Sequence, residues 1–249
     1  MPPVRPLLFG HRGARPISRY GLKDKAARVP PENTIPSFEY ALAQGVDGFE
    51  FDVRLTGDQR LVICHDAWVG SRNVSASSLR SLCSSGSLFC CLEDVLEAFA
   101  KRAYLDIEVK IAGIEEAVAA AVCRHRPQRG FLISSFFPEV LLRLHEVDSS
   151  LPLGYVCQRA ASLSLWRKLP VVAVLPSYKL ITQNLVRDIH GEGIQVFTWT
   201  VNQRSSLVQL AGWEIDGIIS DDPGLLARTF RAEKLSQAKP GSGSGERAS

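Results

Sequence analysis

The sequence has no apolar run approaching the ~20 residues of a membrane-spanning helix, so no transmembrane segment is expected. The first apolar segment, Leu7-Leu8-Phe9-Gly10, leaves no room before it for a secretory signal peptide. An excess of charge of one sign is also missing. The formal net charge of +3 is small and dispersed, and no stacking or zinc-finger pattern accompanies it, which argues against nucleic acid as a partner. The six cysteines (64, 83, 90, 91, 123 and 157) form no C-x-x-C pair and no disulfide-framework spacing. Most sit in apolar surroundings, which reads as reduced, buried thiols in a cytoplasmic protein. Histidine is scarce as well, with five in 249 residues, so where they fall carries information.

What the chain does have is a repeated alternation. Eight short apolar, β-branched runs read as strands: Leu7–Gly10, Gly48–Arg54, Tyr104–Val109, Gly130–Ser134, Leu153–Cys157, Val171–Leu175, Gln195–Val201 and Gly217–Ser220. Their near-continuous hydrophobicity suits a parallel sheet covered on both faces. Helical patterns lie between them at Thr34–Gln44, Leu92–Arg102, Glu115–Arg126, Glu139–Val147, Ala161–Lys168, Thr182–His190 and Gln203–Ala211, with Gly224–Ala232 last. Strands alternating with helices in this number predict a (β/α)₈ TIM barrel over residues 1–232. Arg60–Asp66 is an extra extended segment after the second strand, joined to it by the turn-forming pair Gly57-Asp58. A Ser- and Cys-rich excursion, 67–89, follows it as a small insertion, and the polar, Gly/Ser-rich stretch 233–249 reads as a disordered tail.

The second strand carries two carboxylates inside an apolar run. A strand has a side-chain period of two, so Glu50 and Asp52 share one face while Phe49, Phe51 and Val53 take the other. Glu108 and Lys110 repeat the spacing on the third strand. Active sites of such barrels lie at the C-terminal strand ends, where the first strand supplies His11 and Arg12, and the extra segment supplies His65. Three carboxylates at one mouth repel one another, by about 4 kcal/mol per pair at 4 Å and an effective dielectric near 20. An oxygen-preferring divalent cation, Mg²⁺ or Ca²⁺, held by Glu50, Asp52 and Glu108 resolves the repulsion. The plainer alternative is an ion-pair network with Lys110 that only closes the barrel. His11 and His65 beside such a site suit acid/base work near neutral pH. His125, His145 and His190 fall in helices or at their ends and read as surface or capping residues. Arg12 and Lys110 add the fixed positive charge that phosphoryl chemistry uses.

The ordered motifs His11-Arg12-Gly13, Pro31-Glu32-Asn33-Thr34, Gly48–Val53, His65-Asp66, Ile107–Lys110, Thr198–Asn202 and Asp216–Pro223 resemble the glycerophosphodiester phosphodiesterase family over roughly residues 7–230. The resemblance implies hydrolysis of glycerophosphodiesters to glycerol 3-phosphate and an alcohol, with some members acting as lysophospholipase D. It implies a divalent cation on Glu50, Asp52 and Glu108, His11 and His65 as the acid/base pair, and phosphate held by Arg12 and Lys110. Glu32 would lie at the metal and glycerol side, Asn33 would orient its neighbours, and Trp199 would wall the glycerol pocket. Two departures border the entrance. Residues 14–30 form a long insertion between the first two motifs, and the excursion after His65 is shorter than usual. Residues 14–30 carry a net +4, which reads either as a solvated loop kept soluble by its charges or as a surface for an anionic leaving group or transient contact with an anionic membrane. Other readings of the same barrel are a phosphoinositide-cleaving phospholipase, a sphingomyelinase D, or a headgroup-binding protein without turnover.

Overall fold

The computed structural model describes residues 5–16, 29–84 and 88–237, with 231–237 described in backbone only. In chain order the strands are β1 (Leu7–His11), β2 (Gly48–Leu55), β3 (Leu61–Ile63), β4 (Trp68–Val69), β5 (Arg72–Asn73), β6 (Tyr104–Val109), β7 (Phe131–Ser135), β8 (Leu153–Cys157), β9 (Ala173–Pro176), β10 (Gln195–Thr198) and β11 (Gly217–Ser220). The helices are α1 (Ile35–Gln44), α2 (Leu79–Cys83), α3 (Leu92–Phe99), α4 (Glu115–Arg124), α5 (Pro138–Val147), α6 (Gln183–Gly191), α7 (Arg204–Ala211) and α8 (Pro223–Gln237).

Eight strands pair in parallel in the order β1-β11-β10-β9-β8-β7-β6-β2, and β1 pairs with β2 to close the barrel. Each corresponds to one of the eight runs read from the sequence. The extra segment is β3, antiparallel to β2 with Arg54 opposite Val62. The excursion beyond it holds the small β4–β5 ribbon, a 3₁₀ turn at Val74–Ala76 and α2, packed on a small core of Val62, Cys64, Val74 and Leu82. The helix expected over Ala161–Lys168 is present as a 3₁₀ helix, Ala160–Lys168. It follows Arg159, whose carbonyl accepts from both the backbone N–H and the hydroxyl of Ser162, at 3.1 and 3.0 Å. The last helix runs on to Gln237, five residues past the expected end. Most of the basic stretch, residues 17–28, and the tail from 238 lie outside the described residues. Arg15, from the near end of that stretch, pairs with Glu32 and Asp221.

Side-chain parity explains the layering. Phe49, Phe51 and Val53 leave β2 outward and are fully buried under the helices. Phe38 of α1 stacks on Phe49 at 4.2 Å between centroids, and Phe99 of α3 meets Phe49 edge-on at 5.0 Å. Helix α1 is held at its start by the Thr34 hydroxyl, which accepts from the Ser37 N–H, and stops at Gly45, whose φ of 95° suits glycine. Inside the barrel, Phe9, Leu132, Val156, Leu175, Phe197 and Ile219 fill the lower part. Phe9 packs edge-on to Tyr104 at 5.2 Å and against Phe197 at 5.5 Å. Above this apolar plug the inward positions turn polar, which forms the floor of the site. Among the described residues no helix is long and apolar enough to cross a membrane, and all six cysteines are free.

Candidate active site

A cavity of about 720 Å³ opens over the C-terminal strand ends. His11, Arg12, Glu50, His65, Glu108, Lys110 and Trp199 line it, so seven residues singled out from the sequence meet at one place. Asp52 lies just behind, 1 % exposed, with Asn33 donating from Nδ2 to its Oδ2 at 2.8 Å. Glu32 stands further out. It accepts from Arg12 Nη1 at 2.7 Å and from Arg15, and is not one of the three clustered carboxylates.

Glu50, Asp52 and Glu108 each present an oxygen within 4.8 Å of the others. Strand register brings them together, since β2 and β6 pair with Asp52 opposite Glu108. Burial pushes Glu50 well above the usual carboxylate range, and the charges of Asp52, Glu108 and Asp106 push it further. Burial and then Asp52 raise Glu108 to about 7, against the pull of Lys110. Asp52 goes the other way: burial would raise it, but Lys110, Arg12 and His65 hold it below its ordinary value. One of the three therefore carries charge easily and the other two do not. Lys110 Nζ lies 2.5 Å from Glu108 and 3.2 Å from Asp52, and Arg12 Nε lies 3.2 Å from Asp52. Even so, Glu50 Oε1 is buried with no hydrogen-bond partner. An all-oxygen set with one orphaned carboxylate oxygen suits a hard divalent cation.

Backbone strain helps build the floor. Arg12 and Asn33 have φ of 52° and 58°, a region that costs a residue with a side chain. In return the Arg12 N–H donates to Glu50 Oε2 at 2.9 Å, and the Asn33 N–H donates to the Arg12 carbonyl at 3.0 Å.

The two histidines are held differently. His11 Nδ1 contacts Asp221 Oδ1 at 2.6 Å, which leaves Nε2 toward Glu50, 3.8 Å away. Asp221 is fixed in turn by Asn202, whose Nδ2 donates to Oδ2 at 2.6 Å and whose Oδ1 accepts the Asp221 N–H at 3.0 Å. Burial would raise Asp221, but the contacts with His11 and Asn202 keep it below the usual range. His65 Nδ1 contacts the exposed Asp66 at 2.7 Å, and burial holds its pKa below the ordinary value although Asp52 pulls it up. His125 caps α4, His145 is exposed on α5, and His190 Nε2 contacts Asp216 at 2.8 Å, all away from the cavity.

Asp221 and Asn202 are visible in the motifs, but nothing in their spacing assigns them to His11. Spacing does not single out Asp106 either. It is 1 % exposed below Glu108, burial raises it to about 7, and Ser134 Oγ donates to it at 2.7 Å. Alternation from Glu108 would have placed it inside. Trp199 donates from Nε1 to the Leu175 carbonyl at 2.8 Å and meets Phe136 edge-on, and both rings line the cavity.

Residues 11–225 match the glycerophosphoryl diester phosphodiesterase family. A glycerophosphodiester phosphodiesterase of Caldanaerobacter subterraneus is 28 % identical over 252 residues, covering 92 % of this chain and 99 % of that one. The glycerophosphodiester phosphodiesterase of Thermotoga maritima superposes with a TM-score of 0.73 at 23 % identity, covering 90 % of this chain and 98 % of that one. An Oleispira antarctica phosphodiesterase, solved in complex with the product sn-glycerol-3-phosphate, gives 0.73 at 22 % identity over 91 % and 97 % of the two chains. These two structures share the barrel. Because the match spans nearly the whole barrel, the chain belongs to the glycerophosphoryl diester phosphodiesterase family, a family of phosphoric diester hydrolases.

Proposed function

We propose that the chain hydrolyses glycerophosphodiesters to glycerol 3-phosphate and an alcohol at the mouth of the barrel. The observation that carries the reading is the meeting of two histidines, two paired cations and three clustered carboxylates at one cavity. Glu50, Asp52 and Glu108 would hold a divalent cation, Mg²⁺ or Ca²⁺, which when bound neutralises phosphoryl oxygens and the charge that builds up in the transition state. With the carboxylates so engaged, Arg12 and Lys110 are freed to bind the phosphate, while Asn33 keeps Asp52 in register. His65, kept neutral by burial, is suited to take the proton of the nucleophile, water or the neighbouring glycerol hydroxyl. His11, oriented through Nδ1 by Asp221, then presents Nε2 to protonate the leaving alkoxide.

The apolar wall of Phe136, Phe137, Leu165 and Trp199 favours a second substrate class, lysophospholipids, whose acyl chain would lie against it. The test is hydrolysis of glycerophosphocholine, glycerophosphoethanolamine, glycerophosphoinositol and a lysophospholipid, with and without EDTA. Turnover of a glycerophosphodiester that EDTA abolishes is expected. Absence of turnover with every substrate would leave a headgroup-binding barrel instead, and full turnover in EDTA would remove the cation from the mechanism.

A further inference from the structure

Four cationic side chains line the cavity: Arg12, Arg54, Lys110 and Arg159. Arg12 and Lys110 form ion pairs with Glu32, Asp52 and Glu108. Arg159 is exposed at the far rim. Arg54 is unlike the others. It is half-buried on the same face of β2 as Glu50 and Asp52, one step further toward the mouth. Its Nε donates to the backbone carbonyl of His65 at 2.8 Å. No ion pair engages it, and its two terminal nitrogens have no hydrogen-bond partner among the described residues.

We propose that Arg54 is both a phosphate-binding residue of this site and the positioning residue for His65. The inference rests on the phosphodiesterase reading for its substrate, but the geometry stands on this chain alone. A guanidinium is a planar fork of donors, and fixing Nε fixes the plane in which both terminal nitrogens lie. The contact with the His65 carbonyl therefore orients the remaining donors while it anchors the loop that carries the imidazole. A half-buried guanidinium with free terminal donors, facing the same cavity as Arg12 and Lys110, suits a phosphoryl oxygen, which accepts such donors strongly. The two roles are coupled. A phosphate drawn to Arg54 is held beside His65 by one rigid side chain, which shortens the search for a reactive geometry. Arg54 lies opposite Val62 in the β2–β3 pairing, so the extra antiparallel strand is what brings His65 within its reach.

The experiment compares Arg54→Met, Arg54→Lys and the unmodified protein in saturating Mg²⁺. It measures kcat and KM on glycerophosphoinositol, and binding of inorganic phosphate by calorimetry. Met keeps the apolar stem, so the barrel should persist; the thermal unfolding midpoint checks this. Arg54→Met should weaken phosphate binding by about tenfold or more, the scale of a charged hydrogen bond, and lower kcat as well. Arg54→Lys should recover much of the phosphate binding but not kcat, because an ammonium cannot bond the His65 carbonyl and reach the phosphate together. A merely structural Arg54 would move the unfolding midpoint and leave phosphate binding alone. Phosphate affinity and kcat within about twofold of normal in Arg54→Met would overturn the proposal, twofold being well under the loss of one such bond. Arg54-dependent phosphate binding in a protein that turns over no glycerophosphodiester would support the phosphate site and overturn the catalytic reading instead.

Discussion

Without a cation, the carboxylate cluster should make the protein less stable as pH rises, and a divalent cation should reverse the trend. Glu108 has a folded-state value of about 7, raised by burial and Asp52 from an ordinary 4.5. A group whose folded pKa is raised takes up protons on folding between the two values. Its stabilising contribution is full below the unfolded pKa and is lost as pH rises through the folded one. The window is therefore about pH 4.5 to 7. A tenfold change in proton affinity is worth ~1.4 kcal/mol, so Glu108 alone accounts for about 3 kcal/mol, and Asp106, also raised to about 7, works in the same direction. For a chain of this size that amounts to roughly 6–10 °C in the unfolding midpoint. Asp52 and Asp221, whose values are lowered, oppose the trend only at the acidic end, below their unfolded values, while His65, lowered by burial from 6.5, opposes it within the window, below 6.5. The assay is thermal unfolding in EDTA and in Mg²⁺ at about pH 5 and about pH 8, on either side of that window. The gain from Mg²⁺ should be several degrees larger at the higher pH, where Glu50, Asp52 and Glu108 must all ionise. An equal gain at both pH values, or greater stability in EDTA at the higher pH than at the lower, would refute the electrostatic account of the cluster.

Replacing His65 with Ala should lower kcat ~10²-fold or more on every substrate. His11→Ala should do so on glycerophosphodiesters of alkyl alcohols but much less on a nitrophenyl ester, whose leaving group needs no proton; equal losses on both would remove His11 as the acid. Asp221→Asn should lower kcat with little change in KM, because it alters how His11 is held and not what contacts the substrate, and steady-state kinetics will separate the two. Phe38→Ala should destabilise by about 3–5 kcal/mol in chemical denaturation, since it empties the stack between α1 and β2. A loss under about 1 kcal/mol there would contradict the packing of that layer.

The barrel was legible because its rule is local. Eight apolar runs separated by helix-length patterns leave few architectures, and the period of two sorted Glu50 and Asp52 from Phe49 and Phe51 before any contact was known. The same period placed Glu108, and the strand-end rule placed His11 and His65 at the mouth. Pairings across the closed barrel could not be read this way. Whether Asp221 met His11 depended on β11 lying beside β1, and whether Asn202 met Asp221 depended on where the chain turned after β10. Asp106 shares the inward face with Glu108 by the same period of two, but spacing does not say that it meets Ser134 of the next strand and lies outside the clustered three. The 3₁₀ form of Ala160–Lys168 followed from how Ser162 bonds back to Arg159, a contact that helical spacing does not encode. Arg54 was legible only as part of a strand. Its free guanidinium donors and its grip on His65 required β3 to fold back on β2. The sequence by itself determined which residues face inward, because that depends on backbone geometry alone. The tertiary structure decided which of them are neutralised, strained or left open, because that depends on distances between strands far apart in the chain.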